Sequence, residues 1–390
     1  MRFVGRLALG CGVVCVMAIK DYLFRVDPGE LERRRQLVRD AWDYRRVDHI
    51  PIHMVVTPDD RPDYTTREQF GDGDKQLEQG LATAKASWEV IPDGDYLPVV
   101  RPDVGCSCLA TAFGSELYWG NDPQQTCGVR EPIVKSVDDI DRLGDPDPLG
   151  DGDMPEGIGR AKRFIELSEG QICVSALDMA GGLNVALDLV GQDLMLMLID
   201  EAEAVHRLLE KVQRFFIRAV EAHIEVVGAE EHFTSLDFPE YWFPEGLKGH
   251  ASDDVCAMIS PETFEQFSLP YLNMVYERFG AGGLHNCGPN PCGQLYNATD
   301  PPLRSVNLAY DYSHQDLPAL REAFAGRTVL YMDMPGDDPA ATYRAVMDIM
   351  TPDVVVIPVV AVEEAEARRC WESLLAVSRE YAARMDWRAG

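Results

Sequence analysis

Long apolar runs are missing from this chain: nothing in its 390 residues reaches the roughly 18–20 apolar positions of a membrane-spanning helix. The nearest stretch is 7–19, behind Arg2 and Arg6. It has the form of a short signal peptide with Val16 and Ala18 before a cut, or of an upstream extension with the true start near Met17. Basic residues are scarce. The 36 Lys and Arg against 65 Asp and Glu leave a formal charge of −29, which repels phosphate backbones and anionic lipid headgroups, so neither nucleic acid nor a membrane surface is an expected partner. A polyanionic small substrate is disfavoured too unless arginines gather to receive it. Ten irregularly spaced cysteines are too sparse for a disulfide scaffold and read as thiols of a cytoplasmic protein. Gly-rich phosphate loops, a Ser nucleophile elbow, a helical His-Glu-x-x-His and internal repeats are all absent.

What is present alternates. After a polar, Arg-rich helical stretch at 28–46, short β-branched runs at 50–56, 96–104, 171–179, 232–238, 283–287, 305–310, 328–334 and 354–360 read as strands. Segments of helical period lie between nearly all of them. Val205, Leu208, Leu209, Val212, Phe216 and Val220, for example, share one helix face. Eight strands alternating with helices predict an α/β protein, a (β/α)8 TIM barrel. The Gly-, Pro- and Asp-rich stretch between Cys106 and Gly170 is expected as an insertion after strand 2, partly a hairpin. The expected organisation is therefore an N-terminal extension and helix over 1–49 and one barrel domain over 50–390. A large doubly wound sheet, or a split near residue 150, would give a similar string.

Barrels of this kind place chemistry where strands run into the loops that follow. Those ends hold Asp103, Asp178, Asp237, His285 with Cys287, Tyr310 with Asp311 and Tyr312, and Asp333. Residues two apart on a strand point the same way, so His285 and Cys287 project together, and the turn through Gly288-Pro289-Asn290-Pro291 would bring Cys292 back toward them. Two thiolates and an imidazole suit Zn²⁺ with a fourth position open, the arrangement of catalytic zinc. The alternative is a loop-capping His285 with two thiols buried as small apolar groups. Cys106 and Cys108 form another same-face pair but read as core thiols, and Cys370 as helix packing. Asp178, followed by Gly181-Gly182, and Asp237 suit acid–base work or the orientation of ligands. Asp253-Asp254 belong to a loop that leads to Ser260 and Pro261 at a helix start, although Asp254 could reach the barrel mouth. His53, His250 and His314 carry no assignment.

Thr111-Ala112-Phe113-Gly114 followed by 133–140, then 195–209, then Ser252-Asp253-Asp254 through Ser260-Pro261-Glu262, and Pro270-Tyr271 up to His285-Asn286-Cys287-Gly288 resemble, in order and spacing, the uroporphyrinogen decarboxylase superfamily. That superfamily holds the haem-pathway decarboxylase and zinc-dependent methyltransferases that take methyl groups from corrinoid proteins. The resemblance covers most of the chain from about residue 50 and implies the (β/α)8 fold. In the decarboxylase an Arg-rich loop follows the first strand. Here that stretch reads Val56-Thr57-Pro58-Asp59-Asp60-Arg61-Pro62-Asp63-Tyr64, one Arg among three acids, which cannot neutralise a polycarboxylate. The methyltransferase branch holds zinc through His-x-Cys, matched by His285 and Cys287, and a further Cys near the last strand, where 354–360 has none. Cys292 is the expected substitute, with Asp237, Asp254 or Asp333 as alternatives. The resemblance thus implies a zinc enzyme, one Zn²⁺ per chain, moving methyl between a corrinoid on a partner protein and a small thiol. Asp178 and Asp237 would be catalytic, with Asp103, Tyr310, Tyr312 and Asp333 shaping the substrate site. The alternatives are a metal-free decarboxylase or lyase acting on a tetrapyrrole or small acid, and a non-catalytic corrinoid-binding barrel.

Overall fold

A computed structural model describes residues 19–388 except 229 and 238; the signal-peptide-like stretch lies outside them. The chain is a mixed α/β structure around a mostly parallel sheet, compatible with a TIM-barrel-like arrangement. Strands β1 (His53–Thr57), β2 (Val99–Val100), a small antiparallel pair β3 (Leu117–Tyr118) and β4 (Gly128–Val129), β5 (Cys173–Val174), β6 (Gly249–Ser252), β7 (Ala281–Asn286), β8 (Ser305–Leu308), β9 (Val329–Asp333) and β10 (Val356–Glu363) follow in chain order. Six of them form one sheet in the order β1-β10-β9-β8-β7-β6, and β2 pairs with β5. The wall continues between these sheets through 233–236. Thr234 N donates to Val174 O, Ala176 N to Ser235 O and Leu236 N to Lys248 O. Between β1 and β2 the described residues form no ladder; Ile52 N donates instead to the Asp95 carboxylate.

The strands of the main sheet are covered on both faces, which is why Val354-Val355-Val356-Ile357 and Val329-Leu330 read as unbroken apolar runs and lie buried. The long helix over Ala202–Val227 buries the whole face read from its period, Val205 through Val220. The helices that flank the sheet and matter here are α1 (Pro28–Trp42), α2 (Gly73–Glu89), α3 (Met154–Leu167), α4 (Gly182–Val190) and α5 (Ala202–Val227). Against the expectation that no stretch is long enough, Gly182–Asp200 has the length and mean hydropathy to cross a membrane, but it is a broken element. A 3-10 turn at Gly191–Asp193 interrupts it, and Leu183, Val185, Ala186 and Leu189 pack into the core.

Two expectations change. The run at 232–238 is no full strand, because the Thr234 hydroxyl donates to Tyr241 O and accepts from Phe243 N, folding the chain back on itself. A strand not foreseen, β6, takes the next place in the wall. The insertion after β2 does contain the hairpin, β3 with β4.

Helix α1 is not a detached extension. Trp42 Nε1 donates to the Tyr331 hydroxyl on β9, and the Tyr44 hydroxyl donates to Thr328 O. Arg34 is fully buried; it donates to Glu30, Tyr96 O and Pro92 O and lies 3.9 Å over the Trp88 ring. Replacing it leaves the Pro92 and Tyr96 carbonyls without this donor, the second of them in a buried contact. Arg34→Met is therefore expected to destabilise the chain by about 3 kcal/mol, read as a lower urea midpoint; a loss under about 1 kcal/mol would assign the cation a merely peripheral role.

Candidate functional site

The strand ends of β6 and β7 carry the densest chemistry. Asp254, His285 and Cys287 place one ligand atom each within 4.8 Å of one another. His285 Nε2 is 3.6 Å from Asp254 Oδ1, and Cys287 N donates to that same oxygen at 2.8 Å. Asp254 is fixed from its other side by Ser252 Oγ at 2.9 Å and Asn184 Nδ2 at 3.0 Å, both on Oδ2. Behind His285, Nδ1 meets Asn307 Oδ1 at 2.6 Å. An amide oxygen accepts only, so Nδ1 carries the proton and Nε2 turns a lone pair toward Asp254 and Cys287. Asn307 is itself held through Nδ2 by the Tyr241 hydroxyl and Tyr331 O.

Electrostatics prepare these three groups for a cation. Burial pulls the His285 imidazole below its usual pKa, which keeps it neutral. Burial also works against ionisation of Asp254, but the charge His285 carries when protonated, the Cys287 amide and the Ser252 hydroxyl hold its carboxyl below the usual range. The Cys287 thiol is pushed up to about 12 by burial and then by Asp254. A neutral nitrogen, an ionised carboxylate and a thiol that a dication would deprotonate make a mixed donor set that fits Zn²⁺. Three such ligands would leave one position of a tetrahedral site open.

Cys292 is not part of this group. It is fully buried, and its thiol donates toward Cys256 O and Ile259 O at 3.4 and 3.6 Å. The turn that was to return it is anchored elsewhere: Asn290 accepts from Asn286 Nδ2 and donates to Ser313 Oγ. Asp254 occupies the third place.

One cavity is bordered by the three converging groups, and a second shares Cys106 and Asp178 with it. One of about 390 Å³ is bordered by Asp254, His285 and Cys287 together with apolar Ala180, Leu187, Val255 and Met258. The other, about 700 Å³, is bordered by His53, Tyr96, Arg101 and Asp103, and by glutamine and threonine side chains. Asp178 and Cys106 border both. Asp178 is 19% exposed, with Arg101 Nη1 3.9 Å away as its nearest cation, and burial raises its pKa to about 7 with help from Asp237, Asp103 and Asp254. The turn that carries it is strained: Ala180 has φ +57°, uncommon for a residue with a Cβ. Gly181 N donates to Ser252 O at 2.6 Å, so close that a Cβ at Gly181 would lie 2.3 Å from that oxygen. This approach ties the end of β5 to the end of β6 and brings Asp178 beside Asp254.

Of the remaining residues, Asp237 is fully buried and borders neither cavity. Its Oδ1 accepts from Met179 N at 3.0 Å, and its Oδ2 lies 3.5 Å from His250 Nδ1, so it positions the turn of Asp178. Asp103 does border the larger cavity. Asp333 Oδ1 accepts from Tyr310 N, Tyr310 stacks on His314 and Tyr312 is exposed; these three stand at strand ends but border neither cavity. Cys108 donates to Asp178 O, the structural role read for it. Sequence reasoning did not single out Asn307, Asn184, Arg101 or His53. Asn307 is the partner of His285 across the β7–β8 ladder, a pairing that only register reveals.

No protein-family model matches the chain, and no curated protein matches it by sequence. Among solved structures, a methyltransferase from Methanosarcina mazei is similar with a TM-score of 0.63 at 18% identity, over 89% of this chain and 98% of that chain. The likeness is one of fold.

Proposed function

We propose that this chain is a cytoplasmic (β/α)8-barrel methyltransferase that holds one Zn²⁺ through Asp254, His285 and Cys287 and moves a methyl group from a corrinoid on a partner protein to a small thiol. The observation that carries the reading is the convergence of those three ligand atoms at the end of a cavity large enough for a substrate. The similar Methanosarcina protein, named a methyltransferase, supports the same reaction class.

Zinc, when bound, would supply the positive charge that ionises a coordinated thiol at neutral pH. The chain's own residues do the rest. Asn307 holds the His285 tautomer, Asn184 and Ser252 hold Asp254, and Leu187, Val255 and Met258 give the cavity beside the sulfur an apolar border. Asp178, with a carboxyl near half-ionised at neutral pH, accepts the thiol proton on a carboxylate oxygen. The sulfur then bonds to the methyl carbon as the methyl–cobalt bond breaks, its electron pair staying on cobalt.

The test is elemental analysis of protein purified without chelator, with methylcobalamin and a thiol assayed alongside. Near one zinc per chain and a methylated thiol are expected; no zinc after supplementation would overturn the reading. Asn307→Leu should keep the fold and weaken metal binding by about 10–100-fold, measured by competition with a chromogenic chelator. Unchanged affinity would mean that Asn307 does not orient the ligand.

A further inference from the structure

The substrate's charge follows from what walls the two cavities. Together they are bordered by five carboxylates (Asp103, Asp178, Asp188, Glu240 and Asp254) and by two guanidinium groups, Arg61 and Arg101. Arg101 would be the natural anchor for an anion, but it is already engaged. Its Nη2 is 2.9 Å from Asp103 and its Nη1 3.9 Å from Asp178. Asp103 cannot swing away to release it. Its backbone N and O both bond to the Gln76 side chain, Arg160 donates to the same carbonyl, and Oδ1 accepts from Gly105 N. Glu240 Oε1 accepts from Arg101 N, adding another negative group beside the same arginine. His53 does not offset this, since burial takes its pKa to about 4. Asp178 borders both cavities, and its carboxylate has no hydrogen bond among the described residues.

We infer that the acceptor is a neutral or cationic thiol, its sulfur at the Asp254–His285–Cys287 end and its polar or ammonium-bearing tail in the larger chamber, and that carboxylate- or sulfonate-bearing thiols are selected against. This rests on the thiol reading above and adds the charge class to it. A buried anion beside this wall loses its hydration and meets, among the described residues, Arg61 alone as a guanidinium not already paired, against the carboxylates of Asp103, Asp178 and Glu240 in the same chamber. An ammonium group meets Asp178 directly.

The experiment compares three thiols of similar length, cysteamine, 2-mercaptoethanol and mercaptoacetate, by calorimetric titration of the zinc-loaded protein at pH 8. Cysteamine is expected to bind at least about tenfold more tightly than mercaptoacetate, with 2-mercaptoethanol between them. Asp103→Asn, which frees Arg101, should narrow that ratio toward one, and so should Glu240→Gln, an exposed change that leaves the core untouched. Mercaptoacetate binding as well as cysteamine would overturn the inference and leave the thiol reading standing. Failure of all three to bind a zinc-loaded protein would remove the thiol reading and the inference with it.

Discussion

On the proposed zinc site, Asp254→Ala should lose the metal and Cys292→Ser should keep it, the reverse of what the ligand set read first from the sequence would give. Asp254 brings an ionised oxygen to within 3.6 Å of His285 Nε2 and accepts the Cys287 amide, so its loss removes one ligand and loosens another. The fall in affinity should exceed the roughly 10–100-fold cost of losing an outer partner, taking zinc to below about a tenth per chain after dialysis. Cys292, turned toward the Cys256 and Ile259 carbonyls, should cost about 1 kcal/mol of stability and no metal. Zinc lost from Cys292→Ser and kept by Asp254→Ala would refute this assignment.

The second large effect is expected at Asp178, where activity and stability should move in opposite directions. On the proposed mechanism Asp178→Asn removes the proton acceptor and should lower kcat/KM by about 10²- to 10⁴-fold, with loss of the wild-type rise in rate as pH passes about 7. The carboxyl titrates near 7 when folded and near ~3.9 when unfolded. Between those values the unfolded chain gives up a proton that the folded chain keeps, so stability is full below the lower value and declines as pH rises to the upper one. Asparagine never ionises. The variant should therefore be more stable than the parent by about 2–4 kcal/mol at pH 8, and by clearly less at pH 5, in urea titrations. A stability gap that is the same at both pH values would show that Asp178 is not held protonated by its surroundings.

The parts of this molecule legible in its sequence are those set by local period. The unbroken apolar strands, the face of α5 and the shared direction of His285 and Cys287 each follow from spacing along one element. Asp254 was harder because the element that places it is hard to see. β6 is Gly-His-Ala-Ser, with no β-branched residue and no apolar run, and it is held as a strand by its neighbours rather than by propensity. Without it, Asp254 has no strand end to stand on. The fold-back at Thr234 and Tyr241 escaped for a related reason: two side-chain hydrogen bonds end a run whose composition favours continuation. Cys292 misled because the Gly-Pro-Asn-Pro turn fixes that the chain reverses but not where Asn290 is tethered, and that tether decides which way the thiol faces.

The seam between the ends of the chain has a bearing on how the protein is made. β1 pairs with β10 from His53↔Val359 to Thr57↔Glu363, Trp42 and Tyr44 close on β9 and the residue before it, and Arg45 bridges to Arg388. All of these partners lie near the far end of the chain, so the first strand and first helix emerge from the ribosome long before anything exists to cover them. Their apolar faces must wait, exposed, until β9 and β10 have been synthesised. Ribosome-bound chains halted before residue 329 should therefore leave Trp42 open to solvent quenchers and bind holdase chaperones, and release of the completed chain should close both at once.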